Sequence, residues 1–393
     1  MIVLYDHQAF SIQKYGGISR YFAELMGAFG GSGTVTCRLA LRMSDNDYLR
    51  SMRREGERPS GKDQGDAERK RARKEDRSLT EAFRRKVLFK WAGYRLNGRE
   101  SIRALRGQGF DLFHPTYFNP YFLTHLGRKP FVLTVYDMIH ELFPEMFSSA
   151  DRTSYWKREL VLKAARIIAI SNSTRDDLVR YYGIAEEKVA VTHLGPPRFP
   201  DGERSGSSPA GKYILYVGNR DKPFPLKERY KNFDFFVESL LPLFREQQDL
   251  RLVCAGGGTF NSQERRLFAE RGIGGKVLYD PASGGVPADL YRKATLFVLP
   301  SLYEGFGLPV LEAFSCGCPV AVSRTSALPE VAGDAALYFD PRNADSIREA
   351  VRRVFEDGAL REHLRSEGFK QMRNFSWRKT AEETKAVYES VLA

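Results

Sequence analysis

Short runs of Val, Ile, Leu, Phe and Tyr, closed by Gly, Pro or Asp, recur along this chain between stretches whose apolar residues fall three or four apart. That alternation predicts parallel strands covered by helices. It occurs twice. In the first half the runs are IVLY from Ile2, TVTCRLAL from Thr34, DLFH from Asp111, FVLTVYD from Phe131, RIIAIS from Arg166 and VAVTHLG from Val189. In the second they are YILYVG from Tyr213, LRLVCAG from Leu250, KVLYD from Lys276, TLFVLPS from Thr295, CPVAVS from Cys318 and ALYFD from Ala336. Between them lies PPRFPDGERSGSSPAG, residues 196–211, whose Pro, Gly and Ser content predicts a linker. The expected class is α/β, with two Rossmann-like domains, 1–195 and 212–376, facing each other across a cleft. Ligands of such sheets bind at the carboxyl ends of strands beside helix N-termini, so the residues that follow the strands carry the functional argument.

At 42% apolar and 28% charged over 393 residues the composition is globular and excludes a fibrous or wholly disordered chain. The opening Met-Ile-Val-Leu-Tyr meets Asp6 before it can grow into a signal-peptide core, and no stretch approaches the ~18 to 20 apolar residues of a membrane span. A cytoplasmic location is expected. Four cysteines make no disulfide framework, and Cys316-Gly-Cys318 lacks the spacing of a zinc site.

The net charge of +12 is concentrated. Residues 50–106 hold 19 Lys or Arg against 9 Asp or Glu, whereas the rest of the chain holds 42 against 40. From Met52 to Leu79 this segment reads as a charge-rich loop. In EAFRRKVLFKWAGYRL, however, Phe83, Val87, Trp91 and Tyr94 line one helical face, with Arg84, Arg85, Lys86 and Lys90 around it. Two readings stand: a basic amphipathic helix at the inner face of a membrane, or a helix packed on its own domain. No recognition-module signature accompanies the patch, so nucleic acid is not an expected partner.

Three post-strand segments offer chemistry. After the first strand, Gly16 and Gly17 precede a helix and let an anion approach its free amides. After YILYVG, the cations Arg220 and Lys231 flank a helix start near Gly218, a fork and a point charge suited to a diphosphate, with the Pro-rich insert DKPFPLKER between them. After TLFVLP, Glu304 sits in a turn with Gly305 and Gly307, seven residues separate it from Glu312, and Pro309 opens the helix that carries the second glutamate. The first carboxylate can accept from sugar hydroxyls, and the second can take two vicinal hydroxyls of a ribose. Asp45-Asn46-Asp47 has the form of a metal-binding D-x-D string but precedes the charge-rich loop, and it is expected to be solvated.

KYGGISRY, YVGNR with YKN, CAGGG at residues 254–258, the two glutamates around EGFGLP, LPEVAGDAALYFDP and FSWRKTAEET together resemble the retaining glycosyltransferases of family four, with the GT-B fold, typified by bacterial mannosyltransferases. The resemblance covers nearly the whole chain. It implies that Gly16 and Gly17 face the diphosphate of a nucleotide-sugar donor, that Arg220 and Lys231 grip it, and that Glu304 holds the transferred sugar. It further implies that the amides of Phe306 and Gly307 orient the sugar, that Leu308 lies among the donor-binding residues, that Glu312 binds the ribose, and that a closing helix over 377–393 returns to the first domain. Many relatives carry His-Asp after the fourth strand; here Tyr136 stands in the histidine's place, so either Tyr136 replaces it or His140 reaches in from the next turn. The implied reaction is transfer of a hexose, from GDP-mannose or a GDP-deoxyhexose or a UDP-sugar, to a glycan acceptor expected to be lipid-linked, in cell-surface polysaccharide synthesis. No metal or other cofactor is expected. A nucleotide-sugar epimerase shares the fold, but the paired-glutamate turn argues against it, and an NAD enzyme would want G-x-G-x-x-G after the first strand, which is missing.

Overall fold

A computed structural model of the chain describes residues 1–56, 79–197, 199, 211–220, 230–281 and 286–393; at Ser32, 53–56 and 79–91 it describes backbone alone. The chain forms two compact units, one of residues 1–133, 163–165 and 388–393, the other of 134–162 and 166–387.

In the first unit β1 (Ile2–Tyr5) lies between β2 (Thr36–Leu39) and β3 (Leu112–His114), both parallel to it, with Ile2 opposite Thr36 and Val3 opposite Leu112. The helix Gly17–Ser32 follows β1 and buries Tyr21, Phe22, Leu25 and Phe29, the three-and-four spacing that makes one apolar face. A helix over Leu79–Arg106 buries Asn97, Ser101 and Leu105 near its end. The Tyr388 hydroxyl meets Tyr5 Oη at 2.9 Å and His114 Nδ1 at 2.6 Å. Burial pushes the His114 imidazole down to about 3, so this interior bond is made by a neutral ring.

β4 (Val132–Val135), β5 (Arg166–Ala169) and β6 (Val189–Val191) form a second sheet in that order. The third sheet has β7 (Tyr213–Val217), β8 (Arg251–Ala255), β9 (Val277–Asp280), β10 (Leu296–Leu299), β11 (Val320–Ser323) and β12 (Ala336–Phe339) in the order β12-β11-β10-β7-β8-β9. Its strands are parallel. β7, β10 and β11 are buried at every position, as expected where helices cover both faces. Phe236, Val237 and Leu240 supply part of this core, and Ile347, Val351 and Val354 of the helix Ala344–Glu356 supply more. The chain runs from β7 out through β8 and β9, then returns to place β10 on β7's other side. The strand order therefore reverses between β7 and β10, and a crevice for ligand is expected past their carboxyl ends.

The compact units cut across the sequence halves, with 134–162 and 166–195 grouped with the chain that follows the linker. The closing helix Trp377–Leu392 bonds to the chain just before the linker and to its first residue: Thr380 donates to the His193 carbonyl at 2.6 Å, and Trp377 Nε1 donates to the Pro196 carbonyl at 2.9 Å. Most of the 196–211 linker lies outside the described residues.

Candidate active site

The switch point gathers the two segments with the strongest chemical signal. Beyond β10, Ser301, Glu304 and Gly305 form a turn into the helix Leu308–Ser315, whose second residue is Pro309. Gly307 caps that helix with φ +100°, a backbone conformation that strains residues bearing a side chain, so glycine suits the position. Beyond β7, the Leu302 amide donates to the Tyr230 carbonyl at 2.6 Å, which carries Lys231 to the turn.

Lys231 Nζ donates to Glu304 Oε1 at 2.6 Å, and the same oxygen accepts from Ser301 Oγ at 2.7 Å. Both charged side chains are mostly buried, 16% and 12% exposed, so the pair is a fixed feature of the site and not a solvated surface bridge. Glu312 is 9% exposed and accepts from the Tyr291 hydroxyl at 2.6 Å. Among the described residues the amides of Phe306 and Gly307 donate to no protein acceptor. A carboxylate, an ammonium and free amides thus converge where the strand order reverses, an arrangement that can hold a polyhydroxyl ligand and a phosphate together.

Arg220, expected as a planar fork for a diphosphate, has a side chain that is 2% exposed and donors that are engaged within the protein: Nε to Glu264 Oε1 at 2.8 Å, one terminal nitrogen to the Gly256 carbonyl at 2.7 Å, the other to the Gly258 carbonyl. The guanidinium also lies 4.8 Å over the Phe260 ring. It organises the glycine loop after β8, beside Gly218, whose amide donates to the Ala255 carbonyl. Local sequence could not show this, because Glu264 lies 44 positions away.

Tyr136 is buried at the end of β4, and its carbonyl oxygen would lie 1.8 Å from a Cβ on Gly305, so the turn can pack there only as glycine. His140 instead stacks on Phe147, with ring centres 3.8 Å apart, and its Nε2 lies 3.8 Å from Asp151. Burial and Lys157 push its pKa down. Of the two candidates for the histidine's place, the contacts at Gly305 are made by Tyr136. Asp137 accepts from the Ile139 amide at 3.1 Å as a turn cap.

Two clusters were not anticipated. Lys157 and Glu141 are fully buried and paired at 2.7 Å; Lys157 also donates to the Asp137 carbonyl at 2.9 Å, and Tyr182 donates to Glu141 at 2.8 Å. The signal was present: Lys157 shares an apolar stripe with Thr153, Leu160 and Val161 in the helix Thr153–Lys163. The second centres on Glu330. It accepts from the Asn172 amide and side chain at 2.9 and 2.6 Å and contacts His193 Nε2 at 2.5 Å. Its desolvation is outweighed by these bonds, and its carboxyl is held below the usual range.

In the first unit Gly16 caps the helix Gly17–Ser32, and Gln13 Oε1 accepts the Ser19 amide at 3.0 Å; the amides of Gly17 and Ile18 are uncommitted among the described residues. Asn46 is fully buried, donating to the Gln13 carbonyl at 2.8 Å and accepting from the Leu49 amide at 3.2 Å. The D-x-D string therefore closes a loop, and among the described residues no group of three or more metal-ligating side chains occurs. Phe83, Arg84, Arg85, Lys86 and Trp91 fall within the helix Leu79–Arg106, but their side chains lie outside the described residues. No helix of the described residues is long and apolar enough to cross a membrane.

Residues 15–196 match the family described as Glycosyltransferase Family 4, and residues 203–371 match Glycosyl transferases group 1. The O-antigen chain mannosyltransferase B of Escherichia coli is 30% identical over 330 residues, covering 78% of this chain and 82% of that protein. The sucrose-phosphate synthase of Thermosynechococcus elongatus has the same fold at a TM-score of 0.66 and 18% identity, over 99% of this chain and 98% of its own. HepE of Anabaena, solved with UDP-glucose, has it at 0.66 and 15%, over 99% and 100%.

Proposed function

The chain belongs to family four of the glycosyltransferases and has the GT-B fold, and from that premise we propose that it moves a hexose from a nucleoside-diphosphate sugar to a glycan acceptor with retention of configuration. The observation that carries this reading is the buried Lys231–Glu304 pair beside the uncommitted amides of Phe306 and Gly307. Glu304 binds hydroxyls of the transferred sugar, the amides orient it, and Glu312, steadied by Tyr291, takes the ribose. Cleavage of the anomeric bond puts negative charge on the departing phosphate and positive charge on the ring. Lys231 and the amides meet the former. The acceptor oxygen attacks the same face, and its proton passes to the leaving phosphate, so the step needs no metal. Tyr136 lies on the acceptor side as a hydrogen-bonding group in the family histidine's place.

GDP-mannose or a GDP-deoxyhexose is the favoured donor, because the Escherichia coli relative is a mannosyltransferase; a UDP-sugar is the rival, since the Anabaena protein was solved with one. That relative's O-antigen role and the basic segment 50–106 support a lipid-linked acceptor and peripheral attachment to the cytoplasmic face of a membrane. The test is thermal shift against a panel of nucleotide sugars, followed by transfer from the stabilising donor to lipid-linked glycan. A ligand at 100 times its dissociation constant adds ~2.7 kcal/mol, well within detection. A panel in which no nucleotide sugar shifts the melt refutes the proposal, and conversion of a donor without any acceptor identifies an epimerase instead.

A further inference from the structure

The turn that carries Glu304 is shaped by residues far from it in sequence. The Gly305 carbonyl accepts from Ser171 Oγ at 2.7 Å and from Thr174 Oγ1 at 3.3 Å. In a trans peptide the C=O and the following N–H point to opposite sides. Holding this carbonyl against Ser171 therefore aims the Phe306 N–H away from the helix Asn172–Tyr182 and leaves it free to meet a ligand. Ser171 is itself held. It is fully buried, caps that helix by accepting from the Thr174 amide at 3.0 Å, and is followed by amides of Asn172 and Ser173 that donate to Glu330 at 2.9 and 3.4 Å. One residue before Glu304, the Tyr303 hydroxyl donates to Asp177 of the same helix at 2.9 Å and accepts from the Met138 amide at 3.3 Å.

We propose that Ser171 is a positioning residue for the transfer reaction: its hydroxyl, by donating to the Gly305 carbonyl, sets the direction of the Phe306 amide that receives the sugar. Thr174, Asp177 and Glu330 keep its helix in register with the turn. The inference rests on the glycosyl-transfer reading of the site.

Ser171 has two roles, and substitution separates them. Glycine is tolerated at an N-cap almost as well as serine but has no donor. In Ser171→Gly the melting temperature should stay close to wild type and the affinity for the free nucleoside diphosphate should hold. kcat should fall about tenfold or more, with donor KM changed by less than about twofold, the pattern of a contact realised only in the transition state. Ser171→Thr restores the hydroxyl and should restore kcat. If kcat merely tracks the melting temperature across Gly, Ala and Thr variants, Ser171 is a helix cap alone and the proposal is overturned; an unchanged kcat in a well-folded Ser171→Gly overturns it as well. A wild-type chain that transfers from no nucleotide sugar refutes the glycosyl-transfer reading first, so the two failures are distinguishable.

Discussion

Replacing Arg220 by Met separates two incompatible accounts of a cation that lies beside the candidate donor site. Met keeps most of the aliphatic stem and a soft contact with Phe260, whose ring the guanidinium overlies. It removes the Nε bond to Glu264 and both bonds to the glycine-loop carbonyls. Glu264, whose side chain is 4% exposed, would retain the Asn261 amide at 2.6 Å but no counter-charge. Breaking a buried pair from one side costs about 3–5 kcal/mol, a large share of a stability on the order of 5–15 kcal/mol. Urea unfolding should show that loss. Adding Glu264→Gln should cost much less than it does in the wild-type background, because the stranded charge is gone. Were Arg220 instead an open clamp on a diphosphate, stability would hold and nucleotide affinity would fall by about 1.5–3 kcal/mol, roughly 10- to 150-fold. An unchanged unfolding midpoint with that loss of affinity, read by calorimetry, refutes the buried-organiser account.

The two glutamates should separate by ligand: Glu312→Ala weakens binding of the free nucleoside diphosphate, whereas Glu304→Gln leaves that affinity nearly intact and lowers turnover, and equal losses of affinity would contradict the roles. Glu330 gives a pH signature. Its folded pKa lies below the ordinary 4.5, so its bonds to Asn172 and His193 stabilise the fold above that value and are lost as pH falls through the depressed one. Melting curves at descending pH should show an acid limb that is shallower in Glu330→Gln, and identical limbs would exclude the contribution. Co-sedimentation with anionic liposomes should weaken with salt and drop when Phe83 and Trp91 become Ser; indifference to liposomes at low salt would favour a soluble acceptor.

The strand–helix alternation determined the two parallel-sheet halves by itself, since each strand's apolar run and each helix's spacing are local properties that burial on both faces of a sheet enforces. The place of the site was legible for the same reason. Gly307, with its positive φ, and Pro309 are short-range demands of one turn and one helix start at the carboxyl end of a readable strand, whereas the demand for glycine at 305 comes from the distant Tyr136 carbonyl. What a charged side chain does with its charge was not legible. Lys231 meets Glu304 across 73 positions and Arg220 meets Glu264 across 44, yet one pair borders the free amides of the turn and the other is sealed behind aromatic rings. Likewise Glu330 finds Asn172 across 158 positions and Ser171 finds Gly305 across 134. Patterns of polarity record whether a residue can be buried. Which partner neutralises it, and which carbonyl a buried hydroxyl holds, depend on how separate elements pack, and only the tertiary structure decided them.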